Sequence, residues 1–258
     1  MSPGKEQRHA RTGQIKTMKR IAGFAYSLLS FLFGAGANLY LLGFLGNLVV
    51  PKSIDGGTPG VLCTGVLVNL GLLGLFGLQH SVMARESVKE KLGQWIPDLL
   101  IRSTYVLASG LVLALIFWQW RPMPLTVWSI ESEIGQILLW GLFGGGWLVL
   151  GVASDTIDAL HLNGLRQGWA YLKNQEYSPP DFQTPGLYQY TRHPIMLGFL
   201  IVFWTTPHMT VGHLLFAVIM TGYLFLGIYF EERALIRVFG ARYREYRRET
   251  PMLIPGLG

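Results

Sequence analysis

Long apolar stretches alternate with short polar segments along the chain. Five can be delimited, at about residues 21–50, 61–79, 99–120, 134–153 and 195–230. Each of the first four is long enough for the roughly 20 residues that a helix needs to cross a bilayer. The pattern therefore predicts an all-α fold, a polytopic transmembrane helical bundle.

The last apolar stretch is interrupted by TTPHMT, Thr205 to Thr210. Its first arm, 195–206, is short for a complete crossing, whereas its second arm, 211–230, is long enough. We expect a C-terminal helical hairpin that enters the membrane and returns. The predicted bundle has four spans plus this hairpin, which gives five or six membrane helices.

The composition supports a membrane location. Half of the 258 residues are hydrophobic and only 14% are charged, whereas soluble domains carry about 25% charged residues. About twenty polar residues precede the first apolar stretch, so a cleavable signal peptide is not expected. The single cysteine, Cys63, excludes an internal disulfide.

Basic residues fix the predicted orientation. If the N-terminus is cytoplasmic, every lysine and arginine except Lys52 and Arg121 lies on the cytoplasmic side, as the positive-inside rule requires. The net charge of +6 then reflects topology and attraction to anionic lipids rather than nucleic-acid binding. We expect an integral protein of the bacterial inner membrane with both termini in the cytoplasm.

The same boundaries divide the chain into four parts. We expect a basic cytosolic segment (1–20), four transmembrane helices (21–153), a cytosolic loop or lid (154–193), and the hairpin with the C-terminal segment (194–258).

Polar side chains collect at the predicted cytoplasmic ends of the helices. The set comprises Gln79, His80, Arg102, Asp155, Asp158, Arg192, His193, Glu231 and Glu232. The positive-inside rule explains arginines at this level but not two adjacent glutamates or two histidines. We therefore expect a cytosolic pocket roofed by the 154–193 loop, although any one of these residues can also be an interfacial anchor.

A metal site is not expected here. Asp155, Asp158 and His161 are spaced i, i+3, i+6, so Asp158 can share a helical face with either neighbour but not closely with both. No HExxH or paired-histidine spacing is present. A GxGxxG loop for a Rossmann-type cofactor site is also absent from the sequence.

Two C-terminal motifs carry a family resemblance. YQYTRHPIMLGF, followed by EERALIRVFGARYREYRRETPMLIP, resembles the C-terminal half of the membrane methyltransferases that include isoprenylcysteine carboxyl and phospholipid methyltransferases. GLFGLQHSVMAR, GLRQGW and the hairpin sequence are similar to the branch that contains methanethiol S-methyltransferases and their NnrU-like relatives. The resemblance extends over most of residues 20–255.

The resemblance implies S-adenosylmethionine as methyl donor and segment 194–258 as part of its binding site. The donor-binding positions that it implies are Tyr188, Arg192, His193, Pro194, Leu197, Gly198, Glu231, Glu232, Tyr243 and Tyr246. These residue types suit the ligand, because a carboxylate binds arginine or backbone amides and an ammonium binds glutamate. Tyr243 and Tyr246 can also be headgroup anchors of an amphipathic helix.

The implied acceptor is a small thiol, methanethiol, which would give dimethyl sulfide. A thiolate is the effective nucleophile, so a base is needed, and His80 is the first candidate because histidine titrates near neutral pH. Asp155 or Asp158 can orient it. Gln79, Arg166 and Gln167 are candidates for contacting the substrate, although Arg166 and Gln167 can equally tie their loop to headgroups.

Three alternatives remain open at this stage. The same chemistry can act on another small or lipid-like acceptor. The protein can be a non-enzymatic NnrU-like membrane protein. A sterol-type NADPH reductase shares an RHP motif in its C-terminal region and is the weakest of the three.

Overall fold

The apolar stretches form long helices in the computed structural model, which describes residues 3–254, with side chains from residue 13 onward. The basic side chains before Gly13 and the terminal Pro255 of the resemblance motif lie outside the described residues. The helices are α1 (Pro3–Gly46), α2 (Leu62–Met83), α3 (Glu86–Gly93), α4 (Asp98–Gln119), α5 (Glu133–Thr156), α6 (Ala159–Leu162), α7 (Leu165–Lys173), α8 (Pro194–Trp204), α9 (Val211–Phe239) and α10 (Ala241–Glu249), and two short strands are β1 (Thr126–Ser129) and β2 (His208–Thr210).

Five helices of the described chain are long and apolar enough to cross a membrane: α1 from Gly13 onward, α2, α4, α5 and α9. Protein contacts bury only 17% of the apolar window of α2 and 22% of that of α5. Apolar surface of this extent is stable only when lipid covers it. The predicted transmembrane helical bundle is therefore confirmed, and the chain is an integral membrane protein.

α8 and α9 form the C-terminal hairpin. α8 has 11 residues, about 16 Å of helix, which is shorter than a bilayer of about 30 Å. The connection to α9 contains β2, which pairs antiparallel with β1 in the α4–α5 connection. The hairpin tip therefore lies beside that connection. The apolar pattern did not predict this small sheet, because its strands have only four and three residues.

Buried aromatic residues fill the end of the bundle near β1 and β2. Phe44, Trp120 and Phe203 are at most 2% exposed. The Trp120 indole donates a hydrogen bond to the carbonyl oxygen of Ile54 at 3.0 Å, which satisfies its N–H in the core. This core joins α1, α4 and α8 at one end, and the polar residues predicted for the site lie at the other.

Two glycines let α5 and α8 pack closely. A methyl group on Gly198 would lie 2.8 Å from the carbonyl oxygen of Gly146, and one on Gly146 would lie 2.9 Å from the side chain of Val202. In lipid, small residues at an interface allow such an approach. This contact sets the position of α8 and of the residues that precede it.

The 154–193 segment contains α6, α7 and a 3-10 turn at Gly186–Gln189. α7 lies against α1 at Gly168, where a methyl group would lie 2.4 Å from the Ser27 side chain. The Ser103 hydroxyl of α4 donates to the Ser27 hydroxyl at 2.9 Å. The segment that the sequence predicts as a lid is thus docked on α1 and α4.

Candidate functional site

The buried carboxylate of Glu232 on α9 lies at the centre of the C-terminal polar cluster. Its side chain is 9% exposed. Arg192 Nε donates to one carboxylate oxygen at 2.7 Å, and His193 Nε2 lies 3.3 Å from the same atom. Arg247 Nε lies 3.1 Å from the other oxygen. Because a buried carboxylate must be paired to be tolerated, Glu232 ties the start of α8 to α9 and α10.

Arg192 is also engaged by the C-terminal segment. Its Nη1 donates to the carbonyl oxygens of Arg247, at 3.0 Å, and Thr250. Its backbone N–H donates to the carbonyl oxygen of Pro251 at 3.0 Å. Among the described residues only the Nη2 group of this guanidinium has no partner, so most of its five donors stabilise the fold.

Glu231 precedes Glu232 but points to a different environment. Its side chain is 47% exposed, and its Oε2 lies 3.5 Å from His193 Nδ1. α8 begins at Pro194, and the N–H groups of Ile195 and Met196 have no hydrogen-bond partner in the described chain. An exposed carboxylate and two free backbone donors therefore lie close to His193, as a zwitterionic ligand requires.

The tyrosines of this cluster are neutral hydrogen-bonding groups. Tyr243 is 1% exposed, and its hydroxyl has no partner among the described residues. The Tyr246 hydroxyl donates to the carbonyl oxygen of Tyr188 at 2.6 Å. Burial raises the pKa of Tyr246 to about 12. Burial, and then the charge of Glu231, also raise the pKa of Tyr188 above its ordinary value.

Leu197 and Gly198, the two residues within α8 that the resemblance implies for the donor site, differ in their surroundings. Gly198 is buried, and the space beside it is filled by Leu150 and Gly146 of α5. Leu197 is half-buried on the first turns of α8. Gly198 therefore has a packing role, and contact of either residue with the donor stays a prediction.

His80 on α2 uses both of its ring nitrogens. Nδ1 lies 3.2 Å from the Ser109 hydroxyl, and Nε2 lies 2.5 Å from the Tyr105 hydroxyl, both on α4. The imidazole stacks on Phe76 with ring centroids 5.3 Å apart and meets the edge of Tyr223 at 6.3 Å. Two hydrogen bonds and two ring contacts fix its orientation.

Arg102 contacts the Tyr105 ring, and Gln79 directly precedes His80 on α2. Arg102 Nε donates to the carbonyl oxygen of Leu162 at 2.5 Å, and its guanidinium lies 4.9 Å from the centroid of the Tyr105 ring. Gln79 donates through Nε2 to Met83 Sδ at 3.2 Å, while its buried Oε1 has no partner among the described residues. Arg102 thus connects the His80 cluster to α6.

The α6–α7 region holds a second histidine. Asp158, with a φ of 76°, caps α6 by accepting from the His161 N–H at 3.1 Å, and it pairs with Arg166. Gln167 Nε2 lies 3.1 Å from His161 Nδ1, which also contacts the Tyr177 hydroxyl. Burial, and then the charge of Arg102, lower the pKa of His161. The histidine is therefore neutral at physiological pH.

Asp155 and Asp158 do not reach His80. Together with Arg166 they line a groove of about 410 Å³ between α6 and the segment from Pro180 to Pro185. In the part of the chain that the structure describes, neither carboxylate is a hydrogen-bond partner of His80, whose bonds go to α4 instead. No group of three or more His, Cys, Asp or Glu side chains among the described residues is arranged to hold a metal ion.

Sequence reasoning missed Tyr105, Ser109 and Tyr177. Tyr105 is three residues from Arg102, so the helical period places both on one face of α4, and this signal was available. Tyr177 lies in a loop, where no helical or strand period indicates which way its side chain points.

Most of this chain is similar in sequence to known proteins. The family model described as NnrU protein matches residues 68–252. Methanethiol S-methyltransferase 2 of Bradyrhizobium diazoefficiens is 50% identical over 92% of both chains. Methanethiol S-methyltransferases of Crocosphaera subtropica and Mycobacterium tuberculosis are 46% and 43% identical, over 85% and 92% of this chain and 86% and 98% of theirs. No solved structure matches the chain significantly.

Proposed function

This chain belongs to the NnrU protein family, and we propose that it is an S-adenosylmethionine-dependent methyltransferase that converts methanethiol to dimethyl sulfide. The observation that carries the proposal is the 43–50% identity, over most of both chains, to relatives named methanethiol S-methyltransferase. The match to the family model, over residues 68–252, spans both polar clusters and not the C-terminal motif alone.

The C-terminal cluster fits the methyl donor. The exposed Glu231 carboxylate suits an ammonium or ribose hydroxyls, and the free amides of Ile195 and Met196 suit a carboxylate. The unpartnered Tyr243 hydroxyl supports the fit, because a buried polar atom without a partner marks a place where a ligand or water bonds. We assign donor contact to Glu231 and a structural role to Glu232, since the oxygens of Glu232 are already paired.

The donor supplies an electrophilic methyl group, and the protein aligns an acceptor with it. His193 holds Glu231 in place, Arg192 fixes the start of α8, and the neutral tyrosines exclude water and add no charge. Gln79 and Gln167 each have a buried Oε1 without a partner among the described residues, which supports polar contacts of these two residues with the acceptor. The acceptor thiol is ionised within the cluster around His80, because the thiolate is the effective nucleophile.

The site faces the cytosol in this proposal. The methyl donor is a soluble metabolite made in the cytoplasm, and the basic residues favour this side for the ends of α1, α9 and α10. With the α8–α9 hairpin returning to its starting side, both termini are cytoplasmic and the protein belongs to the bacterial inner membrane.

The activity is tested directly with membranes that contain the protein. We expect that methyl-labelled S-adenosylmethionine and methanethiol give labelled dimethyl sulfide in the headspace, with membranes from cells lacking the chain as control. Label in extractable lipid instead would indicate a lipid-like acceptor. No labelled product together with no donor binding would overturn the proposal and favour a non-enzymatic protein.

The donor contact is tested by Glu231→Gln, which removes one charge and keeps the shape of the side chain. A hydrogen bond to a charged group contributes about 1.5–3 kcal/mol, so we expect the dissociation constant for the donor to rise at least about tenfold. Binding is measured by calorimetry on the detergent-solubilised protein. Glu245→Gln on α10, also exposed, is the matched control, and equal affinities of the two variants would reject the assignment.

A further inference from the structure

We propose that Tyr105 is the group that takes the proton from the acceptor thiol and that His80 stores this proton behind it. The inference rests on the proposed thiol methylation and names the catalytic group on its acceptor side. Tyr105 was not a sequence candidate, and its role follows from the hydrogen bonds of the imidazole.

The geometry leaves His80 no free nitrogen. Nε2 lies 2.5 Å from the Tyr105 hydroxyl and Nδ1 lies 3.2 Å from the Ser109 hydroxyl. A thiol can reach the imidazole directly only by displacing one of these partners. A tyrosine hydroxyl, in contrast, can donate to Nε2 and accept from a second donor at the same time, because its oxygen has two lone pairs and one proton.

The surroundings of Tyr105 suit a developing thiolate. The Arg102 guanidinium lies 4.9 Å from the centre of the Tyr105 ring and is held there by the carbonyl oxygen of Leu162. A fixed positive charge at this place stabilises negative charge that forms nearby, and it needs no reorganisation. The His80 ring contacts Tyr223, which lies on α9, the helix that also carries Glu231. The acceptor side and the donor side therefore share α9.

The proton transfer balances without a further reactant. The thiol S–H bond breaks, its electron pair stays on sulfur, and its proton passes to the Tyr105 oxygen. The Tyr105 O–H proton passes to Nε2 of His80, so Tyr105 is neutral before and after the step. His80 becomes an imidazolium whose Nδ1–H donates to Ser109. After methyl transfer consumes the thiolate, His80 returns its proton to water through Tyr105.

Tyr105→Phe tests the relay, because it removes one oxygen and leaves His80 in place. Two acceptors of similar size are compared at pH 8.5: ethanethiol, which is mostly protonated there, and 2,2,2-trifluoroethanethiol, which is mostly ionised. General-base catalysis contributes about 10²–10⁴-fold, so we expect kcat with ethanethiol to fall at least about 100-fold. With the fluorinated thiol, kcat should be nearly unchanged, and KM for the donor should be unchanged with both.

Tyr26→Phe is the matched control. The Tyr26 hydroxyl donates to Thr104, the neighbour of Tyr105, at 2.9 Å, so this variant loses a comparable contact to α4 without touching the relay. We expect its kcat with both acceptors to equal that of the unmodified protein. Should Tyr105→Phe fail to fold, Ser109→Ala replaces it and should show a smaller loss with the same dependence on acceptor acidity.

The outcomes separate the relay from the activity itself. An equal loss with both thiols, or no loss with ethanethiol, overturns the relay while the unmodified protein still methylates thiols. Absence of labelled dimethyl sulfide from methanethiol with the unmodified protein overturns the proposed function and the relay together. A fall in kcat with ethanethiol, and none with the fluorinated thiol, supports the relay.

Discussion

Glu232→Gln is expected to lower the free energy of unfolding by about 3–5 kcal/mol, the usual effect of removing one partner from a buried ion pair. The glutamine keeps the size of the side chain but not its charge. Arg192, whose side chain is 9% exposed, is then left as a buried cation with no carboxylate beside it. Because Glu232 joins α8, α9 and α10, we also expect donor binding to be lost.

The neighbouring Glu231→Gln is the matched control for stability. Its side chain is 47% exposed, and exposed ion pairs contribute at most about 1 kcal/mol. We expect its thermal midpoint in mild detergent to stay near that of the unmodified protein while its donor affinity falls. The two adjacent residues should thus separate stability from binding. Equal midpoints for both variants would show that the Glu232 pairs do not hold the helices together.

Gly146→Val should separate α5 from α8. Its first added carbon would lie 2.9 Å from Val202 and 3.0 Å from the Gly198 carbonyl oxygen, and both neighbours are buried. Overpacking of this kind costs about 1–3 kcal/mol and occasionally more, and we expect at least about 3 kcal/mol here because three carbons are added to a backbone contact. The displaced α8 would also move Arg192 away from Glu232.

Gly145→Val provides the control one residue earlier on the same helix. Apart from its own helix, no atom of the described residues lies within 4 Å of a methyl group at Gly145, so the added side chain enters space that lipid fills. Valine is also a better helix former than glycine. We expect the folded fraction on size-exclusion chromatography and the thermal midpoint to be nearly unchanged. A similar loss in both variants would mean that glycine is needed for another reason than this contact.

The positions of the membrane helices along the chain could be predicted from the sequence, because they depend on local composition. An apolar stretch of about 20 residues forms a helix in lipid whatever its neighbours are. The break at Thr205 to Thr210 is local in the same way, and the hairpin is present as α8 and α9. The sheet of β1 and β2 could not be predicted, because its stability comes from pairing of segments about eighty residues apart.

The polar partners at the site could be predicted only where a motif or a helical period relates them. The sequence predicts Asp155 or Asp158 beside His80, because all three residues lie at the predicted cytoplasmic ends of the helices. The structure pairs His80 with Tyr105 and Ser109 instead. The rotation of α4 about its axis selects these partners, and this rotation follows from packing against α1, where Ser103 meets Ser27.

The RHP motif (Arg192 to Pro194) and the EER motif (Glu231 to Arg233) show the same difference between local sequence pattern and packing. The positions of the charges along the chain are enough to predict that two basic residues precede α8 and that two glutamates lie near the end of α9. Packing between the helices is what buries Glu232 among Arg192, His193 and Arg247 while Glu231 remains half exposed. Adjacent residues on a helix point about 100° apart, so packing alone determines which of the two carboxylates faces the interior and which is left for a ligand.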